Sequence, residues 1–407
     1  MTTRRSFLKY SGAAVAALSF RSSLAFAATP NDARFVFVIL RGGMDGMAAA
    51  VPYGDPHYKD LRGPLTIAAP GQPGGALDLD GMFGLHPSLE TMHGFYKSGE
   101  LAVLHAIATP YRDRSHFDAQ NVLENGTPRP MGAQDGWLNR AIATLPKAMD
   151  TSKPLGLAAG ENIPLVLRGK APVTSWAPSA LPSADDDTIN RLMDLYQDDK
   201  LLGSALAEAV ATDKILKDAG NTEKQMGGRL TPGNPAKLFK TLANSIGTLM
   251  ADAAGPRVGV IDLSGWDTHA NQGAATGGLA GHLRALDTSL GALKDSMGAA
   301  WGRTAVLVAT EFGRTAHVNG TNGTDHGTGG VAFLMGGAVN GGRVVTDWPG
   351  LATAALYQQR DLKATTDLRS VIKGVLVDHL HMSTAALNST VFPESGSAKP
   401  HGDLIRA

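Results

Sequence analysis

Four continuous apolar runs constrain this chain more than any other feature: residues 34–40 (RFVFVIL), 101–107 (LAVLHAI), 258–261 (VGVI) and 304–310 (TAVLVAT). A strand with one wet face alternates apolar and polar residues, whereas an unbroken apolar run is covered on both faces, as in the middle of a parallel sheet. Each run gives way to a polar or glycine-rich turn. Between the third and fourth, Leu279, Leu283, Leu286, Leu290, Leu293 and Met297 recur in steps of four and three, which predicts a long amphipathic helix. Strand, turn and helix in that succession point to an α/β chain, and 407 residues suffice for one large α/β domain or two smaller ones.

The rhythm fades between residues 126 and 255. There, residues 154–173 read as a hairpin, and a helical stretch at 185–219 carries Ile189, Leu192, Leu195, Leu202 and Leu206. A loop rich in Gly and Pro at 227–235 leads to a helix at 237–252, so the region is expected to be an insertion or cap. Elsewhere, His86 is expected to open a helix reaching Lys97, and Thr366 to cap one over 367–379.

Open α/β sheets bind ligands at the carboxyl ends of their strands, and that is where this chain concentrates its chemistry. Asp45 ends the first run, Asp267 and His269 follow the third, Glu311 ends the fourth, and Asp325 and His326 precede another apolar strand. These are oxygen and nitrogen donors. With no cysteine in the chain, sulfur ligands, disulfides and thiol nucleophiles are excluded. Such a set suits one or two divalent cations, with Zn²⁺, Mn²⁺, Mg²⁺ and Ca²⁺ all open. The structural alternative makes Asp45 a turn former, Asp267 a cap and His269 a local hydrogen-bonding group. After the second run, Ser115 stands where a helix N-cap is expected, with Asp118 placed for a capping-box exchange. Its functional alternative is a nucleophile at a helix N-terminus, with His116 and Arg112 or Arg114 handling an anion. His282 lies within the amphipathic helix and is read as structural.

The N-terminus carries a twin-arginine export motif, Thr3-Arg4-Arg5-Ser6-Phe7-Leu8-Lys9, then a mild apolar run at 11–20 and a small-x-small cleavage site at Ala25-Phe26-Ala27. Residues 1–27 are therefore expected to be a signal peptide, leaving a domain of 28–407 that reaches the periplasm or the exterior through the twin-arginine export machinery. The apolar run is too short to span a bilayer, so no transmembrane helix is expected after cleavage. The formal net charge is zero, with no basic block to bind nucleic acid.

Taken together, RGGMDG, VPYGDPHY, RSHFDAQ, GWDTHANQG, ATEFGRT and GTDHGTGG are similar, in order, to the motifs of domain-of-unknown-function family 1501. That family resembles a branch of the alkaline phosphatase and sulfatase superfamily, and the resemblance covers nearly all of the expected mature chain. It implies a doubly wound, mostly parallel sheet with helices on both faces. Asp45 matches a first-strand metal aspartate and Ser115 the nucleophile; Asp267, His269 and His326 match ligands of one metal. Glu311-Phe312 stands where an Asp-His pair would bridge a second metal, a departure that weakens that site. No Cys/Ser-x-Pro-x-Arg motif surrounds Ser115, which argues against a formylglycine sulfatase. The resemblance thus implies a metal-dependent hydrolase of phosphate or sulfate esters, small or polymer-borne. Its alternative is a catalytically degenerate member serving as a binding, export or cell-surface accessory protein.

Overall fold

A computed structural model of the protein describes residues 32–145, 154–178, 185–199, 202–218, 235–253 and 255–406. The expected signal peptide lies outside the described residues. All four apolar runs are strands of one nine-stranded sheet. Its strands are β1 (Arg34–Arg41), β2 (Leu101–Ala108), β3 (Gly156–Ala159), β4 (Val173–Trp176), β5 (Val258–Ser264), β6 (Thr304–Thr310), β7 (Gly330–Met335), β8 (Arg343–Val345) and β9 (Thr366–Asp367). They lie in the order β8-β2-β7-β6-β1-β5-β3-β4, with β9 also on β2. Every pairing is parallel except those of β7, which runs antiparallel to β6 and β2.

Successive residues of a strand point to opposite faces, and β1 shows how an unbroken apolar run serves both. Val36, Val38 and Leu40 enter one core cluster, while Phe35, Phe37 and Ile39 enter the other. The first is closed by α2 (Pro235–Ala251) and α3 (Gly278–Met297), the latter burying all six residues of its predicted apolar stripe. The second is closed by Trp137–Thr144 and by α4 (Leu368–Leu380). The expected α/β architecture, mostly parallel with helices on both faces, is what the chain forms. Among the described residues no helix is long and apolar enough to cross a membrane.

Some local expectations change. The segment read as a hairpin is not one: β3 and β4 pair in parallel, and β3 also joins β5, so both extend the main sheet. With Trp137–Thr144 and α2 in the two cores, much of the stretch expected as an insertion is built into the sheet and its layers. The helix expected from His86 begins at Glu90, and its first N–H groups are capped from across the layer: Asp287 of α3 accepts from Thr91 N (3.1 Å) and Met92 N (2.8 Å). The cap of α4 is Asp367, accepting from Arg369 N, rather than Thr366.

Candidate metal centre

The carboxyl edge of β2, β6, β1 and β5 gathers four turns, and because β7 is antiparallel its entering loop arrives at the same edge. Tight turns make that convergence possible. Gly42, just past β1, has φ +125°, and a Cβ there would lie 2.5 Å from Asp267 N. Only glycine lets the end of β1 pass so close beneath the turn that carries Asp267.

His116 is the first residue of α1 (His116–Asn125), directly after β2 and its loop. Its ring meets that of His326 edge to face at 4.2 Å between centroids, and His326 in turn lies 4.7 Å from the His269 ring. Asp267 sits among them. One of its carboxylate oxygens is 3.0 Å from His269 Nε2 and 3.4 Å from His326 Nε2, the other 3.4 Å from His116 Nε2. Ligand atoms of His116, Asp267 and His326 all lie within 4.8 Å of one another.

The hydrogen bonds behind the rings define what the front atoms present. His116 Nδ1 lies 2.8 Å from Glu311 Oε1, His269 Nδ1 3.1 Å from Asp325 Oδ1, and His326 Nδ1 2.9 Å from the Arg114 carbonyl. Carboxylates and carbonyls only accept, so the Nδ1 of each ring donates and a neutral ring would turn an Nε2 lone pair inward, while Asp267, 3.0 Å from His269 Nε2, is an acceptor on the other side of that ring. Two of those lone pairs, on His269 and His326, face each other at 2.9 Å, an approach that requires a shared proton or a cation between them. The third, on His116, is buried without a hydrogen-bond partner. Ligands at zinc bond lengths of about 2.0–2.1 Å would stand about 3.3 Å apart at tetrahedral angles; the three rings lie 3.0–3.4 Å from the Asp267 oxygens. Three imidazoles and a carboxylate, each ring held from behind by an acceptor, have the make-up of a cation site whose outer contacts fix its ligands.

Charge follows the same plan. The hydrogen bond that His116 donates to Glu311 raises the His116 pKa against the opposing effect of burial. Burial lowers that of His326. Burial would raise Glu311, but hydrogen bonds from His116, Gln120 and Gly42 outweigh it and hold the carboxyl ionised below its ordinary range. Asp267 is likewise held low, burial being overcome by the Arg314 guanidinium 2.7 Å away.

The expected ligands therefore divide. The structure brings Asp267, His269 and His326 together. His116, expected as an anion-handling neighbour, lies beside them with its Nε2 3.4 Å from Asp267. Glu311 and Asp325, expected as ligands, stand behind His116 and His269 instead. Asp45 is apart: it is fully buried, paired with Arg62, accepts from Gln272 Nε2 at 2.7 Å and caps the short helix Gly46–Ala49 through Ala48 N. A second cation at Asp45 would have to displace an arginine. Ser115 occupies the N-cap position of α1 but its hydroxyl makes no cap bond, and Asp118 accepts from Tyr111 rather than completing a capping box. The guanidinium of Arg114 is held by Asp361 and by Gln358 Oε1 at 2.7 Å, and Arg112 donates to the Thr109 and Tyr111 carbonyls. Three supports went unread in the sequence. Gln120 donates to Glu311 at 3.0 Å, Asn319 to Asp325 at 3.0 Å, and Arg314 to Asp267. Only Gln120, four residues after His116 on the same helix face, left a legible signal.

A mostly parallel α/β sheet with a histidine–aspartate group at its carboxyl edge is the class the fold and site define. The model of the family described as "Protein of unknown function (DUF1501)" matches residues 32–388, and the chain belongs to that family. No curated protein matches the sequence. Among solved structures, the zinc complex of the C-terminal periplasmic domain of EcEptC from Escherichia coli is 9% identical; the match covers 92% of this chain and 90% of that one at a TM-score of 0.43. The lipoteichoic acid synthase LtaP from Listeria monocytogenes is 10% identical over 88% of this chain and 74% of its own, at 0.38. The phosphonate monoester hydrolase of Agrobacterium radiobacter is 12% identical over 86% and 74%, at 0.36. At such scores the likeness bears on neither substrate nor metal.

Proposed function

We propose that the protein is an exported, divalent-cation-dependent hydrolase of phosphate or sulfate esters. The observation that carries the reading is the Asp267 carboxylate among three imidazoles, with ligand atoms of His116, Asp267 and His326 all within 4.8 Å of one another and an acceptor behind each ring. His116, Asp267, His269 and His326 would hold the cation. Nitrogen-rich, four-coordinate donation favours zinc over magnesium or calcium, which prefer oxygen ligands in larger shells. A bound cation would supply Lewis-acid polarisation of an ester oxygen.

The chain's own residues supply the rest. Glu311 and Asp325 hold His116 and His269 in register, and Arg314 fixes the Asp267 carboxylate. Ser115, adjacent to His116 and free of the cap bond, is the proposed attacking hydroxyl. The leader residues at 1–27 would deliver the chain through the twin-arginine machinery to the periplasm or exterior, with no nucleic-acid partner. The test is metal analysis of the purified protein, together with hydrolysis of a panel of phosphate and sulfate esters before and after chelation. A metal-free protein inert to the whole panel would sink the proposal.

The Arg62–Asp45 ion pair favours a second reading, since it leaves one cation where a bridged pair was expected. In that reading the protein binds an ester-bearing partner as an accessory without turning it over. Cation binding with no hydrolysis across the panel is its signature.

A further inference from the structure

Arg114 has φ +62°, in the left-handed region that a non-glycine residue rarely enters. Two residues later comes His116, and the Arg114 carbonyl receives His326 Nδ1 at 2.9 Å. The conformation is held from outside. Arg114 Nε donates to Asp361 Oδ2 at 2.8 Å, Nη2 reaches Gln358 Oε1 at 2.7 Å, and the guanidinium lies over the Tyr357 ring at 5.9 Å from its centroid. Asp361 is fully buried, and the clamp loop carries two more left-handed residues, Gln358 (φ +52°) and Gln359 (φ +55°). Strain of this kind persists only where surrounding contacts over-determine it. Here those contacts fix a residue that touches one imidazole of the candidate site and precedes another.

We propose that Arg114 is a positioning residue acting through its backbone. Its left-handed conformation aims the 114 carbonyl at His326 and sets the angle at which α1 presents His116; the guanidinium serves to hold that backbone against Asp361 and Gln358. The proposal rests on the cation reading of the histidine group and replaces the anion-handling role the sequence assigns to this arginine. A side chain already committed to a buried carboxylate and an amide has little left for a substrate anion. A carbonyl on Nδ1, by contrast, decides which ring nitrogen of His326 faces inward.

Four substitutions separate backbone from charge, because all four delete the guanidinium. Arg114→Gly and Arg114→Asn tolerate the left-handed region; Arg114→Ala and Arg114→Val do so poorly, valine least. Zinc alone is titrated into each purified protein, thermal stability is recorded alongside, and ¹⁵N shifts of the His326 ring are read in the metal-free proteins at a fixed pH. All four should lose thermal stability, because the buried Asp361 keeps Arg360 but loses the Arg114 guanidinium from its other oxygen. Gly and Asn should keep the Nδ1–H tautomer and bind zinc within a few-fold of the parent. Ala should weaken binding further, and Val by ten-fold or more, with the tautomer lost. Equal weakening in all four, or no weakening in any, overturns the proposal. If the variants do not fold, the parent still decides: an Nε2–H tautomer at His326 overturns the positioning role. A parent that holds the Nδ1–H tautomer yet binds no zinc instead defeats the cation reading and leaves the carbonyl's grip standing.

Discussion

At the scale of single residues, the distinction that matters is between a ligand and the group behind it. Replacing Asp267 by Asn keeps size and most hydrogen bonding while removing the inward-facing charge, so zinc content at limiting metal should collapse, with some loss of stability because the buried Arg314 loses its carboxylate. Replacing Glu311 by Gln acts one atom layer out and should weaken zinc about 10–100-fold, the usual range for an outer contact to a metal-bound histidine. Equal losses in the two variants would return Glu311 to the role of direct ligand. Ser115 gives the sharpest contrast. Its hydroxyl makes no cap bond, so Ser115→Ala should change stability by no more than about 0.5 kcal/mol while abolishing ester turnover. Retained turnover would mean that another group attacks. The sequence singles out Asp267 and His269 because an Asp-x-His turn after a buried strand is a local pattern, and His326 because an Asp-His pair stands between glycines ahead of an apolar strand. Asp45 was misleading for a physical reason: Arg62, which neutralises it, returns from a separate short helix, and no local pattern records that return.

At the scale of elements, β2 carries a buried histidine outside the site. His105 is 1% exposed; its Nε2 lies 2.9 Å from the Ala50 carbonyl, and its Nδ1 accepts from Ala106 N at 2.8 Å. Both ring nitrogens are thus used by the neutral form, and protonation would sacrifice the second bond. At Ala106 the chain turns to φ +54°, where the pairing register with β7 shifts, so the imidazole props a bulge in a central strand. Burial pulls the His105 pKa down to about 4. In the unfolded chain the ring takes its proton near 6.5. The unfolded state therefore binds more protons between those values, and stability should be full above about pH 6.5 and fall as pH drops toward 4. The limit for this one group is about 3 kcal/mol. His86 and His379 are shifted downward by burial as well, so His105→Leu should flatten denaturant-derived stability across that window without levelling it. A slope identical to the parent's would remove His105 from the account. The long strands were legible because their apolar runs admit only a doubly covered position. The β3–β4 pair was not: four residues each, rich in Gly, Ala, Ser and Thr, they carry too little pattern to tell a parallel edge from a hairpin.

At the scale of the whole molecule, the candidate ligands come from three distant parts of the chain: the start of α1, the turn after β5 and the loop entering β7. The sheet order places β5 and β7 on opposite sides of the β1–β6 pair, so the four side chains meet only when the central strands are assembled. Local sequence could supply each side chain but not their meeting, which is why His116 was expected only to handle an anion and is found beside Asp267 and His326. A cation at that point would bind the folded chain and leave the unfolded one, whose donors are far apart, almost untouched. Zinc at 100 times its dissociation constant should then stabilise the fold by about 2.7 kcal/mol, which for a domain of this size is a rise in Tm of roughly 3 °C. The rise should vanish on chelation, be absent in Asp267→Asn, and survive in Ser115→Ala, whose hydroxyl is assigned to attack rather than to holding the metal. Calorimetry of the three proteins with and without zinc reads all of these arms. A Tm indifferent to zinc in the parent would show that the converging lone pairs hold a proton and not a metal, whereas a rise that persists in Asp267→Asn would place the bound cation elsewhere on the molecule.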